Sequence, residues 1–180
     1  AEDELQPLVT QWRTANPHIT KYWWDIDAAA VKAVRERVPV RVGSVCFSVR
    51  SGILFVTLPS GRNLAYVKPR LEKNRFDRDS LTYEGIGESK KWLRIETYGP
   101  KLTENIVQAT ARDLLALAML RLRNAGFQIV MHIHDEAVVE VPIGQSSVEE
   151  VCGIMSQAPE WATGLPLRAD GYECEFYKKD

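Results

Sequence analysis

Residues 128–141, QIVMHIHDEAVVEV, place two short apolar runs on either side of the polar triplet His134-Asp135-Glu136. Runs of isoleucine and valine this short are typical of buried strands rather than of helices. A tight turn between them would lift the carboxylates of Asp135 and Glu136 to the edge of a sheet. Adjacent carboxylates repel each other, so a neutral or cationic partner is expected nearby, and a divalent metal is the usual one. An ordinary acidic turn is the alternative, since aspartate is common in turns.

The composition is that of an ordinary globular protein. The chain has 180 residues, of which 45% are hydrophobic and 26% charged, enough for one domain with a core. No run approaches the roughly 18 consecutive apolar residues of a membrane helix, and no signal-like segment opens the chain. Three scattered cysteines, Cys46, Cys152 and Cys174, indicate reduced residues of a cytosolic protein. We therefore expect a cytoplasmic protein without a membrane partner.

The charges are distributed unevenly along the chain. Residues 32–78 contain eleven basic and three acidic residues, whereas residues 135–180 contain ten acidic and three basic ones. This asymmetry suits a protein that binds phosphate with one part and a metal ion with another. The basic residues could equally form solvated faces, and counting alone leaves that alternative open.

Helical spacing of apolar residues predicts four helices. The residue before proline is disfavoured in a helix, so Asn16-Pro17 separates the first two. Gly126 would close the third as a C-terminal cap, and Ser146-Ser147-Val148-Glu149 matches a capping box that starts the fourth. The predicted helices cover residues 2–15, 19–37, 102–124 and 146–157.

Short β-rich runs between turn residues predict a small antiparallel sheet. Turns are expected at Ser51-Gly52 and at residues 59–62. The charged residues 69–79 have no periodic apolar pattern and are predicted to be an exposed loop, as are residues 161–170. The expected fold class is α+β, with long helices and antiparallel strands. The predicted strands cover residues 40–49, 53–58, 63–68, 81–86, 92–98 and 171–178, besides the 128–141 hairpin.

The hairpin sequence, Met-His-Ile-His-Asp-Glu, preceded by the helical residues 104–113, resembles motif C of the family A DNA polymerases. Other segments resemble phage-type members of that family in the same order. The resemblance covers nearly all of the chain and implies a palm-type β-hairpin that carries His-Asp-Glu. These other segments are Trp12–Ile19, Leu58–Tyr66, Pro159–Leu167 and Asp170–Glu173.

The resemblance also implies roles for individual residues. Asp135 would bind catalytic Mg²⁺, Glu136 would be an auxiliary carboxylate, and His134 would contact the primer end. An arginine on a tight turn can reach phosphate with its planar fork, and a polar helix face can follow a DNA minor groove. Without the resemblance, that face would be interpreted as solvated. The further predicted DNA contacts are Arg62, Lys101, Asn105, Gln108 and Arg112.

Part of the polymerase machinery is missing from the sequence. Nucleotidyl transfer needs two magnesium ions about 3.5–4 Å apart. The family's second carboxylate motif, Asp-Tyr-Ser-x-x-Glu, and its fingers helix, Lys-x-x-x-Phe-Gly-x-x-Tyr-Gly, are absent. Residues 79–84 and 90–99 approach these motifs only superficially, because the first follows a charged loop and the second alternates as a strand does.

We therefore expect a C-terminal fragment of a DNA-directed DNA polymerase, with the missing motifs upstream. Residues 1–38 would be a helical part of the fingers, 39–100 a β-rich insertion, and 101–180 the palm part. Its partners would be primer-template DNA and deoxynucleoside triphosphates, and the incomplete surface leaves self-association open.

The sequence is compatible with two other interpretations. The isolated piece could be a nucleic-acid-binding or structural fragment without catalysis, because it lacks the partner carboxylate. Alternatively, His132, His134 and Asp135 could bind zinc in a metal-dependent hydrolase, since alternate residues of a strand share a face. The zinc-hydrolase spacing differs, however, and the one other histidine, His18, is distant in the chain.

Overall fold

The computed structural model describes residues 2–74 and 76–177, and the fold is α+β, as predicted. Within these residues the chain forms two compact units, residues 1–107 and 108–180. The α-helices are α1 (Glu2–Ala15), α2 (Pro17–Glu36), α3 (Gly99–Asn124) and α4 (Val148–Met155). The strands are β1 (Val40–Val42), β2 (Val45–Arg50), β3 (Ile53–Thr57), β4 (Asn63–Lys73), β5 (Asp79–Ile86), β6 (Trp92–Thr97), β7 (Gln128–Ile133) and β8 (Glu136–Glu140). None of the described helices is long and apolar enough to cross a bilayer.

The first unit is a six-stranded antiparallel sheet in which each strand pairs with the next one in sequence. Helix α2 packs on one face, because its alanines and Ile26 form an apolar stripe with small side chains. The sheet residues that face α2 alternate with residues on the other face, as the period of a strand requires. The buried core of the sheet includes Val45, Phe47, Leu54, Val56, Leu58, Tyr66 and Leu81.

Two sequence predictions in this sheet were wrong. The single strand expected over residues 40–49 is split into β1 and β2 by a turn at Gly43, where φ is 56°. The loop expected over residues 69–79 is mostly strand, because β4 continues to Lys73 and β5 begins at Asp79. A bulge between Val67 and Arg70 accommodates Pro69, which cannot donate a ladder hydrogen bond.

The rejection of the two superficial polymerase motifs agrees with the structure. Asp79 begins strand β5, and its carboxylate pairs with Arg35 at 2.5 Å and Lys73 at 2.9 Å. Hydrogen bonds from Lys73 and Arg35 lower the pKa of Asp79, so this carboxylate is held in ion pairs within the sheet. Residues 92–97 form strand β6, as their alternation predicted.

The second unit contains most of α3, the β7–β8 hairpin and α4. Helix α3 ends as predicted at Gly126, where φ is 94° and the N–H of Phe127 donates to the carbonyl of Leu122. The N-cap of α4 is Ser147, one residue later than expected; its side chain accepts from the N–H of Glu150. Near the end of α3, Arg121 donates to the backbone carbonyl of Gln157.

The strand predicted over residues 171–178 is absent from residues 171–177, and Lys178 lies outside the described residues. An added Cβ at Gly171 would lie 3.2 Å from Val148 and 3.3 Å from the Sγ of Cys152. The segment therefore packs against α4 here and does not join a sheet. The loop predicted over residues 161–170 is present apart from a short 3₁₀ turn, Glu160–Ala162.

Candidate active-site hairpin

The turn predicted between the two apolar runs is present. Ile133 of β7 is paired with Glu136 of β8, so His134 and Asp135 form a two-residue connection. Glu136 is the first residue of β8. The backbone therefore places all three polar residues at one end of a two-stranded antiparallel sheet.

His134 has an unusual backbone conformation for its residue type. Its φ is 50°, whereas Asp135 does not have a positive φ. Positive φ at the first residue of a two-residue hairpin loop normally selects glycine. A non-glycine residue held in this region costs on the order of 1–3 kcal/mol. Five other non-glycine residues that the structure describes also have positive φ, so this conformation does not by itself mark a functional site: Arg37, Ser51, Lys68, Asp77 and Lys90. The chain therefore carries an imidazole where a relaxed turn would carry no side chain.

The hairpin is open to solvent. His134, Asp135 and Glu136 are all exposed. The expectation of buried strands was wrong: neither β7 nor β8 contains a buried residue, and Val130 is 50% exposed. Only two strands pair here, and a register shift between Ile129 and Met131 interrupts their alternation. The apolar side chains of β7 and β8 are consequently half-buried or exposed.

The two carboxylates form no hydrogen bond or ion pair with any residue that the structure describes. The nearest organised polar contact on the hairpin is between Arg112 of α3 and His132 of β7, whose Nη1 and Nδ1 atoms are 3.5 Å apart. Arg112 donates in this contact, so the His132 Nδ1 accepts. Among residues 2–74 and 76–177, no three His, Cys, Asp or Glu side chains are grouped so as to hold a metal ion.

The proposed zinc arrangement does not fit this geometry. Strand β7 ends at Ile133, so His132 lies in the strand and His134 lies in the turn. The strand alternation that would place both imidazoles on one face therefore stops between them. His18 belongs to α2, in the first unit.

The predicted DNA-contacting residues of the first unit occupy different environments. Asn105 Nδ2 donates to Tyr66 Oη at 2.9 Å, and Tyr66 packs edge-on against Tyr83 with ring centroids 4.9 Å apart. Burial raises the pKa of Tyr66, so its hydroxyl stays neutral and accepts this bond. Lys101 pairs with Glu104 at 2.9 Å, and this bond raises the pKa of Lys101. Arg62 lies exposed at the β3–β4 turn.

The remaining predicted DNA contacts, Gln108 and Arg112, belong to the second unit and are exposed on α3. They are four residues apart, so both side chains lie on the same side of this helix. Within the second unit the structure therefore brings together Arg112 and the hairpin, through His132. Lys101, Asn105 and Arg62 belong to the first unit.

The chain is similar along its whole length to part of a phage enzyme. It is 58% identical over 182 aligned positions to the DNA polymerase of Bacillus phage SP02, a match that covers 100% of this chain and 28% of the phage protein. It is 31% identical over 116 positions to the thermostable DNA polymerase I of Thermus caldophilus and of Thermus thermophilus. These matches cover 62% of this chain and 13% of each Thermus protein.

Over its whole length the chain is therefore similar to one segment of a phage DNA polymerase. It thus spans 28% of the length of its phage relative and 13% of the Thermus relatives. No protein-family model and no solved structure matches it.

The two carboxylates of the hairpin turn suit Mg²⁺ in chemistry and provide only part of a site. Magnesium prefers oxygen ligands and is usually held by one or two carboxylates together with waters and substrate phosphates. Asp135 and Glu136 offer such oxygens, exposed and unpaired within the described residues. The donor set therefore fits one side of a magnesium site.

The sequence patterns did not predict the residues that fix the start of α3. The half-buried Asp27 of α2 accepts a hydrogen bond from the backbone N–H of Gly99. A Cβ at Gly99 would lie 2.1 Å from the carbonyl oxygen of Trp23, so α2 and the start of α3 touch through backbone. The available signal was Gly99-Pro100, since proline favours the first turn of a helix.

Proposed function

We propose that this chain is the part of a DNA-directed DNA polymerase that contributes one metal-binding turn and part of the DNA-contacting surface. One observation carries the proposal: an exposed His-Asp-Glu turn, strained at His134, occurs in a chain that is 58% identical along its length to a phage DNA polymerase. The substrates of the whole enzyme would be primer-template DNA and deoxynucleoside triphosphates.

In this proposal Asp135 is the metal ligand and Glu136 an auxiliary carboxylate. Magnesium bound there would supply charge stabilisation for the attacking and leaving oxygens of nucleotidyl transfer. Exposure keeps both carboxylates accessible, and the two-residue loop projects Asp135 beyond the strand ends. His134, at positive φ in the turn, would contact the primer end.

Exposed cationic side chains would make most of the DNA contacts. Arg62, on its tight turn, and Lys101 and Arg112, on α3, would contact phosphates or sugars, whereas Gln108 would reach minor-groove acceptors. Asn105 donates one Nδ2 hydrogen to Tyr66, so its second N–H and its carbonyl oxygen would be offered to DNA. We expect Tyr66 to orient that amide.

Residues 1–38 would belong to the fingers, 39–100 would be an insertion, and 101–180 would contribute to the palm. The second carboxylate strand must come from other parts of the polymerase. The 180-residue chain alone is therefore expected to behave as a nucleic-acid-binding piece that holds magnesium weakly and incorporates no nucleotide. Template-dependent primer extension by the purified chain would contradict this expectation. Side chains such as Ile143 expose apolar surface and favour self-association of the isolated piece.

A chimera tests the proposed function. The matching segment of the SP02 polymerase is replaced with this chain, and extension of a labelled primer is measured with magnesium and all four deoxynucleoside triphosphates. We expect template-dependent extension. A chimera that binds primer-template DNA as tightly as the parent polymerase and still extends nothing would contradict the proposal.

A further inference from the structure

One face of the six-stranded sheet has no role in the proposed catalysis. Helix α2 packs on the opposite face, and Asn105 of α3 also reaches that opposite side through Tyr66. Phe47, Leu54 and Val56 point towards α2 and are buried. Because strand residues alternate, their neighbours Ser48 and Phe55 point to the other side, which we call the open face.

Phe55 lies near the centre of the open face with small neighbours. Its cross-strand partners are Ser48 on β2 and Ala65 on β4. The guanidinium of Arg50 lies 4.8 Å from the centre of the Phe55 ring. Phe55 is half-buried and the guanidinium lies over its ring, so a base that stacks on the ring would displace Arg50 towards the adjacent phosphate. An aromatic ring on a sheet beside arginine is the arrangement on which unpaired bases stack.

The part of the chain that forms these strands contains basic residues and no acidic ones. No acidic residue occurs between Glu36 and Glu72, a stretch that contains six basic residues. This stretch forms β1, β2, β3 and most of β4. Strands around Phe55 therefore carry cations without any carboxylate of their own, which favours a polyanion.

Three arginines of this stretch are directed to the open face by register. Arg41 is opposite Cys46, Arg50 is opposite Ile53, and Arg70 is opposite Thr82. All three are exposed, and none has an ion-pair partner among the described residues. Arg50 is four residues beyond Cys46 on β2, a rise of about 13 Å, so Arg41 and Arg50 can contact separate phosphates.

Register places three glutamates on the open face itself, at the end formed by β5, β6 and the last residues of β4: Glu72, Glu84 and Glu96. Glu84 of β5 pairs with Lys68 at 2.8 Å and with Arg94 at 3.3 Å. The hydrogen bond from Lys68 lowers the pKa of Glu84, so it stays ionised and paired. Glu72 lies 3.9 Å from the same Arg94. These pairs leave the Phe55 side of the face positive.

We propose that the open face binds single-stranded DNA, with one unpaired base stacked on Phe55 and phosphates contacting Arg41, Arg50 and Arg70. Duplex DNA should bind this surface more weakly than single-stranded DNA, because its bases are already stacked on each other. The surface holds no catalytic group, so this inference goes beyond the proposed function.

Fluorescence anisotropy of a labelled oligothymidylate with the 180-residue chain at low salt tests the proposal. Phe55→Leu keeps the strand apolar and removes the ring, and base stacking is worth about 1–3 kcal/mol, so we expect Kd to rise at least about fivefold. Phe76→Leu is the matched control, because Phe76 is 65% exposed at another site of the first unit and should leave Kd unchanged.

The arginines are tested by the salt dependence of the same binding. Arg41→Ala, Arg50→Ala and Arg70→Ala should each reduce the slope of log K against log salt by about 0.7, the value for one phosphate contact with a single strand. Lys32→Ala removes one charge from α2, where Lys32 faces Glu36, and should change the slope less. Circular dichroism of each variant verifies that the sheet is intact.

Three results would overturn the proposal. The first is a wild-type chain that does not bind the oligonucleotide. The second is a folded Phe55→Leu chain that binds it as the wild type does, and the third is a blunt duplex that competes as well as the single strand. Phe55 and the three arginines belong to the six-stranded sheet and not to the β7–β8 hairpin, so the outcome is independent of the proposed catalytic role of the hairpin.

Discussion

The six-stranded sheet and the β7–β8 hairpin differ in how far the apolar residues of their strands are buried. In β2 and β3 buried residues alternate with half-buried ones, whereas β7 and β8 contain no buried residue. A two-stranded hairpin is marginally stable in water unless another layer covers it. The candidate catalytic carboxylates are thus carried by the less protected of the two sheets, and the sheet with the closed core carries none of them.

The largest expected effect comes from the core of the first sheet. Phe47 is fully buried, so Phe47→Ala should reduce the free energy of unfolding by about 3–5 kcal/mol. Val130→Ala, on the exposed hairpin, should cost less than about 1 kcal/mol. Urea unfolding of both variants gives the comparison. Equal losses would mean that the hairpin is buried to the same degree as the sheet.

The junction between α2 and α3 should be the next most sensitive position. Gly99→Ala would place a Cβ against the carbonyl of Trp23, and such overpacking costs typically 1–3 kcal/mol. Gly153→Ala is the control, because Gly153 lies in α4 with nothing within 4 Å of its added Cβ. That change should stabilise the chain by about 0.5–1 kcal/mol. If both variants change the melting temperature in the same direction, the close contact between Gly99 and the carbonyl of Trp23 is wrong.

A smaller effect concerns the pH dependence of stability. Burial raises the pKa of Asp27 above its ordinary value of 3.8, although the bond from Gly99 opposes this. Folding therefore favours the protonated form, and the associated stability is present below the ordinary pKa and is lost as the pH rises through the raised one. Asp27→Asn should accordingly raise the melting temperature slightly at pH 7, and the difference should shrink below about pH 4. A difference in melting temperature that grows as the pH falls would mean that folding lowers the pKa of Asp27.

Much of the fold followed from local patterns in the sequence. The turn at His134 and Asp135 was predictable because two β-branched runs flank it. The end of α3 was predictable because glycine readily adopts the positive φ that Gly126 has there. The extension of β4 was missed because the charges of Arg70 and Glu72 obscured their alternation with Pro69 and Leu71. Both apolar residues lie on the less exposed side of the strand.

The features that the sequence did not predict depend on contacts between residues that are distant in the chain. The hydrogen bond between Tyr66 and Asn105 joins residues 39 apart, and no local pattern indicates it. An apolar run such as that in β7 predicts a strand, but it does not say whether another layer covers that strand. The carboxylate of Asp135 was located by motif, whereas its lack of a partner in the described residues became evident only from the structure.

The most direct test of the central claim is the single-turnover rate of nucleotide incorporation by the SP02 polymerase chimera that carries this segment. We predict that Asp135→Asn lowers this rate by about a thousandfold, equivalent to about 4 kcal/mol of transition-state stabilisation. Asp170→Asn changes an exposed carboxylate that is paired with Arg168 at 2.9 Å, and it should leave the rate within about twofold. An Asp135→Asn chimera that incorporates nucleotides at the unmodified rate would contradict the account.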